Sequence, residues 1–101
     1  MKKVVVLGST GSIGEQALEV VRGAGDELQV VGISAHSGWE RACEQAAQLG
    51  VQRVAISDPE AAARCSEQLD GVLVGEAGTA ELIAESGADL VLNAISGSAG
   101  L

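Results

Sequence analysis

Seven consecutive residues, Gly8 to Gly14, hold three glycines, two serines and a threonine between an apolar run and a helical pattern. Side chains this small leave the chemistry to the backbone. Gly8 lets the chain leave a strand in a tight turn, Gly11 removes a β-carbon where backbone must approach a ligand, and Gly14 allows close packing of the following helix. The loop amides and the first turn of the Ser12–Arg22 pattern are then unpaired donors with a partial positive charge. A pyrophosphate is the group such a site takes, and Thr10 and Ser12 add hydroxyls. The spacing is GxxGxxG rather than GxGxxG, and it lacks the GK[ST] ending of a nucleotide-triphosphate loop.

A loop of this kind needs a strand before it and a helix after it, and the chain supplies both repeatedly. β-rich runs at Lys3–Leu7, Gln29–Ser34, Arg53–Ser57, Gly71–Val74 and Asp89–Ile95 alternate with helical patterns at Ser12–Arg22, Trp39–Leu49, Pro59–Leu69 and Thr79–Glu85. Most of the runs are Val, Ile and Leu without clean alternation, as in strands covered on both faces. Asp58 followed by Pro59 marks a helix start, and glycines stand where the helices should end. Strict βα alternation predicts an α/β fold: a doubly wound parallel sheet, Rossmann-like, with strand order 3-2-1-4-5. The ligand crevice then lies beyond the carboxyl end of the first strand, where the glycine loop sits. That placement raises a common glycine pattern to a dinucleotide-binding expectation.

Composition narrows the reading further. The 101 residues suffice for one domain, and 47% of them are hydrophobic although Trp39 is the sole aromatic. The core must be aliphatic, with Trp39 anchoring the second helix to the sheet. A net charge of −8 excludes a broad nucleic-acid or anionic-membrane surface while permitting a phosphate held by amides. No stretch is a signal-peptide core or a membrane span, and Cys43 and Cys65 match no metal spacing. They read as buried free thiols suited to a reducing cytoplasm. The helix-face carboxylates, among them Glu15, Glu44 and Glu85, read as solvated, and no metal or catalytic set is seen in this chain.

The second strand ends in "ISAHSGWER", with no acidic residue where an NAD-preferring site carries one for the ribose. His36, Ser37 and Arg41, with the amides of Ser37 and Gly38, are candidate donors to a 2′-phosphate, which favours NADPH. After the fifth run, "NAISGSAGL" leaves through small residues, placing Ala94, Ile95 and Ser96 as candidates near a nicotinamide ribose. An ordinary strand-to-helix turn is the alternative there.

Together, GSTGSIG, VVGISAHSGWE and NAISGSAGL resemble the N-terminal part of the 1-deoxy-D-xylulose 5-phosphate reductoisomerase family, across the whole chain. The resemblance implies an NADPH- and divalent-metal-dependent enzyme that isomerises and reduces deoxyxylulose phosphate to 2-C-methyl-D-erythritol 4-phosphate in non-mevalonate isoprenoid synthesis. It implies inhibition by fosmidomycin, a cytoplasmic location and a homodimer at full length. By position, Thr10, Gly11, Ser12 and Ile13 match the family's pyrophosphate loop, and Gly8, Ala94 and Ile95 join them as cofactor-site candidates from the residue reading above. His36, Ser37 and Gly38 fall where the family often has Gly, Lys and Asn, a departure that removes two side-chain donors. Family members continue through an Asn-Lys-Glu segment to a catalytic domain that carries the acidic ligands for manganese or magnesium. Residues 1–101 are therefore read as a truncated NADPH-binding domain, inactive alone, with the phosphorylated sugar bound elsewhere in the full protein. A module of another GxxGxxG oxidoreductase, or a non-catalytic nucleotide-sensing regulator, is the competing reading.

Overall fold

A computed structural model describes residues 2–51 and 53–95. Five parallel strands form one sheet: β1 (Lys2–Leu7), β2 (Leu28–Ala35), β3 (Arg53–Ile56), β4 (Leu73–Val74) and β5 (Leu90–Asn93). Four helices connect them: α1 (Ser12–Gly23), α2 (Trp39–Leu49), α3 (Pro59–Ser66) and α4 (Gly75–Ser86), with a short 3-10 turn at Gly25–Glu27 before β2. The α3 start follows its sequence signal, the Asp58 carboxylate accepting from the Ala61 amide at 3.1 Å with Pro59 in the first turn.

The sheet is buried because both faces are covered over its centre. On one face Val4, Val6, Ile33, Val54 and Ile56 meet Leu18, Val21, Ala42, Ala46, Ala62 and Cys65 from α1, α2 and α3. Trp39 packs against this cluster, the anchoring role expected of it. On the other face Val5, Leu7 and Ala55 meet Leu82 of α4. Gly32 lies beneath that helix: a β-carbon there would stand 2.7 Å from Leu82 Cδ1. Complete burial of one such valine or leucine contributes roughly 1.5–3 kcal/mol, so these few residues carry much of the stability.

The strand order is β4-β3-β2-β1-β5, which corrects the expected 3-2-1-4-5. The reason is the handedness of crossovers. With right-handed connections, helices on one face advance the chain in one direction. Because α1, α2 and α3 share a face, β2, β3 and β4 step outward in turn, and β4 pairs with β3 (Ala55 with Leu73, Ile56 with Val74). Only α4, on the opposite face, returns the chain to place β5 beside β1. The reversal of winding therefore falls between β1 and β5, and the crevice stays at the end of β1. The α4 helix also begins four residues before the expected Thr79. Gly78, which reads as loop, is an interior helix glycine whose β-carbon would stand 2.8 Å from the Leu73 carbonyl carbon.

The fifth strand is an edge, as expected, and is not buried on both faces as its composition suggested. It pairs with β1 alone among the described residues, and Leu90 and Val91 are 40% and 42% exposed. A flat apolar edge without lysine, proline or bulge invites pairing with another chain. Sedimentation of the 101-residue chain is expected to show concentration-dependent association, and Val91→Lys to abolish it without unfolding the protein. Native-state hydrogen exchange is expected to be faster in β5 than in β1. A stable monomer with β5 protected as well as β1 would show that this edge is covered.

Candidate cofactor site

The loop after β1 is held from below. The Gly8 and Ser9 amides both donate to the Ser34 carbonyl at 2.9 Å, and the Gly8 amide also reaches Ser34 Oγ at 3.2 Å. Ser9 is buried; its hydroxyl donates to Gln45 Oε1 at 2.7 Å, and Gln45 Nε2 donates back to the Ser9 carbonyl at 2.8 Å. These bonds pin the loop to β2 and α2 and use up its inward donors. Gly8 takes φ +75°, the left-handed region open to glycine, and a β-carbon there would meet the Ile95 backbone at 2.8 Å. Gly14 is more constrained: its β-carbon would lie 2.6 Å from Ser9 Cα and closer still to the Gly8 carbonyl oxygen. The helix start and the strand exit are thus in backbone contact.

The outward donors differ. Gly11 is the N-cap of α1, and no side chain among the described residues caps that end. The Thr10, Ser12 and Ile13 amides find no backbone partner among the described residues, while Gly11 N–H reaches the Gly8 carbonyl at 3.3 Å. Among the described residues a β-carbon on Gly11 would meet only Gly8 O, at 3.7 Å, so none of them requires glycine there. An uncapped helix terminus with free amides and a bare Cα in front of it fits an anionic ligand such as pyrophosphate.

This loop opens onto a cleft of about 610 Å³ across the carboxyl ends of the strands. Gly8, Thr10 and Gly11 line it from the loop, and Ser34, Ala35 and His36 from the end of β2. Ser57 follows β3, Glu76 and Thr79 come from the first turns of α4, and Ala94 and Ile95 follow β5. His36 is exposed, with Nδ1 2.7 Å from Ser57 Oγ, so the ends of β2 and β3 are joined at the rim.

Of the residues singled out from sequence, Gly8, Thr10, Gly11, His36, Ala94 and Ile95 meet in the cleft. Ser12, Ile13, Ser37 and Gly38 are not among its walls. Ser12 and Ile13 are exposed on the first turn of α1 beside it, the Ile13 side chain pointing largely to solvent. Gly38 stands against the loop, where a β-carbon would meet Thr10 Oγ1 at 2.8 Å. The second half of "NAISGSAGL", Ser96 to Leu101, lies outside the described residues.

Arg41, a candidate phosphate donor, is engaged elsewhere. Its Nε and Nη2 donate to the two carboxylate oxygens of Glu15 at 2.7 and 2.9 Å, bridging α2 to α1 away from the cleft. These hydrogen bonds hold the Glu15 carboxyl below its ordinary pKa, and they correct the reading of Glu15 as simply solvated. Glu85 is likewise paired, with Arg53 at 3.0 Å. Sequence reasoning missed Ser57, Glu76 and Thr79 as cleft walls. The rule that ligands sit beyond strand carboxyl ends points to Ser57, which directly follows β3. No local signal marks Glu76, since its place depends on the face α4 occupies.

Among the described residues no group of three or more His, Cys, Asp or Glu side chains is arranged to hold a metal ion. No helix of the described residues is long and apolar enough to cross a membrane.

Comparison with known proteins matches residues 4–101 to the family model of 1-deoxy-D-xylulose 5-phosphate reductoisomerase. The reductoisomerase of Corynebacterium glutamicum is 44% identical over 104 residues, a match spanning 99% of this chain and 26% of that protein. That of Nocardia farcinica is 46% identical over 100 residues, covering 98% of this chain and 24% of the relative. Among solved structures, the Zymomonas mobilis reductoisomerase in complex with NADPH superposes with a TM-score of 0.78 at 30% identity, over 89% of this chain and 24% of that one. A DOX-P reductoisomerase in complex with NADPH, fosmidomycin and magnesium gives a TM-score of 0.87 at 27% identity, over 100% of this chain and 26% of that one. The chain spans about a quarter of the length of these relatives. With the family model covering nearly every residue and the loop, cleft and sheet assembled as above, this chain belongs to the 1-deoxy-D-xylulose 5-phosphate reductoisomerase family.

Proposed function

We propose that residues 1–101 form the NADPH-binding domain of a reductoisomerase that converts deoxyxylulose phosphate to 2-C-methyl-D-erythritol 4-phosphate in isoprenoid synthesis. The carrying observation is the uncapped α1 terminus, with Gly11 bare in front of it, at the mouth of a cleft of about 610 Å³. NADPH seats its pyrophosphate on the Thr10, Ser12 and Ile13 amides, where the helix terminus favours negative charge. The adenosine end runs toward His36, Ser37 and Gly38, and the nicotinamide end toward Ala94 and Ile95. When bound, NADPH supplies the hydride for the reductive step. The chain's own residues hold and orient the cofactor.

Magnesium or manganese, the phosphorylated sugar and the catalytic side chains belong to the remainder of the full-length enzyme, a cytoplasmic homodimer in this reading. The NADPH and magnesium complexes of solved relatives support the cofactor and the metal of this reading. The lack of an acid at the end of β2 supports NADPH over NADH, since a carboxylate there would repel a 2′-phosphate.

Titration calorimetry of the 101-residue chain with NADPH and NADH is the test. Weak binding, in the micromolar to millimolar range, with NADPH tighter than NADH is expected, and no turnover of deoxyxylulose phosphate even with added magnesium. Absence of heat with either cofactor at millimolar concentration would overturn the cofactor-domain reading. Tighter NADH would overturn the choice of NADPH.

A further inference from the structure

The chain has only two cysteines, and the fold brings them together. Cys43 lies on α2 and Cys65 on α3, 22 positions apart, with their Sγ atoms 3.5 Å from each other. Cys65 is fully buried and packs in the core cluster under both helices, while Cys43 is only partly buried. A disulfide requires a sulfur separation of about 2.05 Å, so the two atoms need to close by about 1.5 Å, within reach of small side-chain rotations. Both helices are anchored just upstream by the same pair of loops. The Ser57 amide donates to the Ala35 carbonyl and the Asp58 amide to the His36 carbonyl, each at 3.0 Å, and His36 Nδ1 contacts Ser57 Oγ. The helices are therefore fixed side by side, and the thiols face each other in the folded chain.

We propose that Cys43 and Cys65 are a reversible oxidation site, forming an intrachain disulfide that clamps α2 to α3 when a low-molecular-weight disulfide is present. Cys43 is the entry point, because it is the thiol that solvent reaches. Its thiolate attacks one sulfur of the oxidant, breaking that S–S bond, forming a mixed disulfide and releasing one small thiol. Cys65 sulfur then attacks Cys43 Sγ, giving up its proton to the departing sulfur, and the second small thiol is released. The two cysteines lose two electrons and two protons in total, and the oxidant becomes two thiols. Burial, reinforced by the neighbouring Cys43, pushes the Cys65 thiol up to about 12, which keeps it from reacting first with the oxidant. The clamp ties together the two helices behind the loops that carry His36 and Ser57, at one end of the cleft.

Incubating the native 101-residue chain with oxidised glutathione at mildly alkaline pH, followed by intact mass and free-thiol titration, tests this. The expected product is a single covalent chain two hydrogens lighter, with no titratable thiol and no disulfide to a second chain, returned to the starting mass by a dithiol reductant. Its thermal midpoint is expected to rise by about 5 °C or more, since the bond restricts the unfolded chain. Cys65→Ser is expected to stop at one glutathionyl group on Cys43, and Cys43→Ser to leave Cys65 unmodified in the native protein. A stable glutathionyl adduct on the parent, a disulfide to a second chain, or no loss of thiols over hours would each overturn the proposal.

Discussion

Replacing Gly11 by valine is expected to weaken NADPH binding by at least about 100-fold while leaving the fold intact, a loss of about 2.7 kcal/mol in binding. The backbone at Gly11 has φ −77° and ψ 169°, an extended conformation that valine adopts without strain. Among the described residues, chain neighbours aside, the nearest atom to an added β-carbon is 3.7 Å away, which is ordinary contact. The added β-carbon therefore meets no clash in the apo protein, and the poorer N-cap that valine makes is partly offset because valine restricts the unfolded chain. Its branched side chain projects in front of the α1 terminus, into the space the pyrophosphate needs. Calorimetry with NADPH alongside a thermal melt separates the two effects. Unchanged affinity in Gly11→Val would make the loop a turn and not a phosphate cradle. Lost affinity with a melting point lowered by more than about 5 °C would point to general disruption instead.

Gly14→Ala is expected to do the opposite, acting on the fold first. A single β-carbon there would stand 2.8 Å from the Gly8 carbonyl carbon and nearer still to its oxygen and to Ser9 Cα, all backbone atoms. No side chain can rotate aside. Either α1 lifts from the strand exit or the loop leaves its hydrogen bonds to Ser34 and Gln45. Overpacking against backbone of this kind costs about 3 kcal/mol. In a domain of this size that lowers the thermal midpoint on the order of 15 °C. Circular-dichroism melts of the two alanine variants, Gly14→Ala and Gly11→Ala, make an internal control, since the latter has room. Equal melting points for the pair would show that the loop and α1 are not in the close contact described.

The two glycines were given different roles by their positions in the sequence pattern, and their surroundings differ accordingly. GxxGxxG after an apolar run marks a loop at a strand end, because strand and helix periodicities are local and glycine interrupts both. Their order in the loop also separates their expected roles, Gly11 leaving space for a ligand and Gly14 letting the helix pack closely. The distances between atoms brought together by the sheet say how tight each position is: among the described residues Gly14 is pressed against Gly8 and Ser9, while Gly11 has only Gly8 O within 4 Å.

From the sequence alone came the βα alternation, hence a parallel α/β sheet, and the position of the phosphate-type loop at the end of β1. The aliphatic core, the Asp58–Pro59 helix start and the family resemblance were readable there too. All of these depend on residues close together in the chain, or on composition. The tertiary structure alone decided the strand order, because α4 is apolar around much of its surface and its pattern does not say which face of the sheet it covers. That choice places β5 beside β1 at an exposed edge and brings Glu76 and Thr79 to the cleft. It was also packing between α1, α2 and α3 that turned Arg41 toward Glu15 rather than a ligand and set Cys43 against Cys65. Such pairings join residues 22 or more positions apart. They follow from how helices settle on a shared sheet face, which no local period encodes.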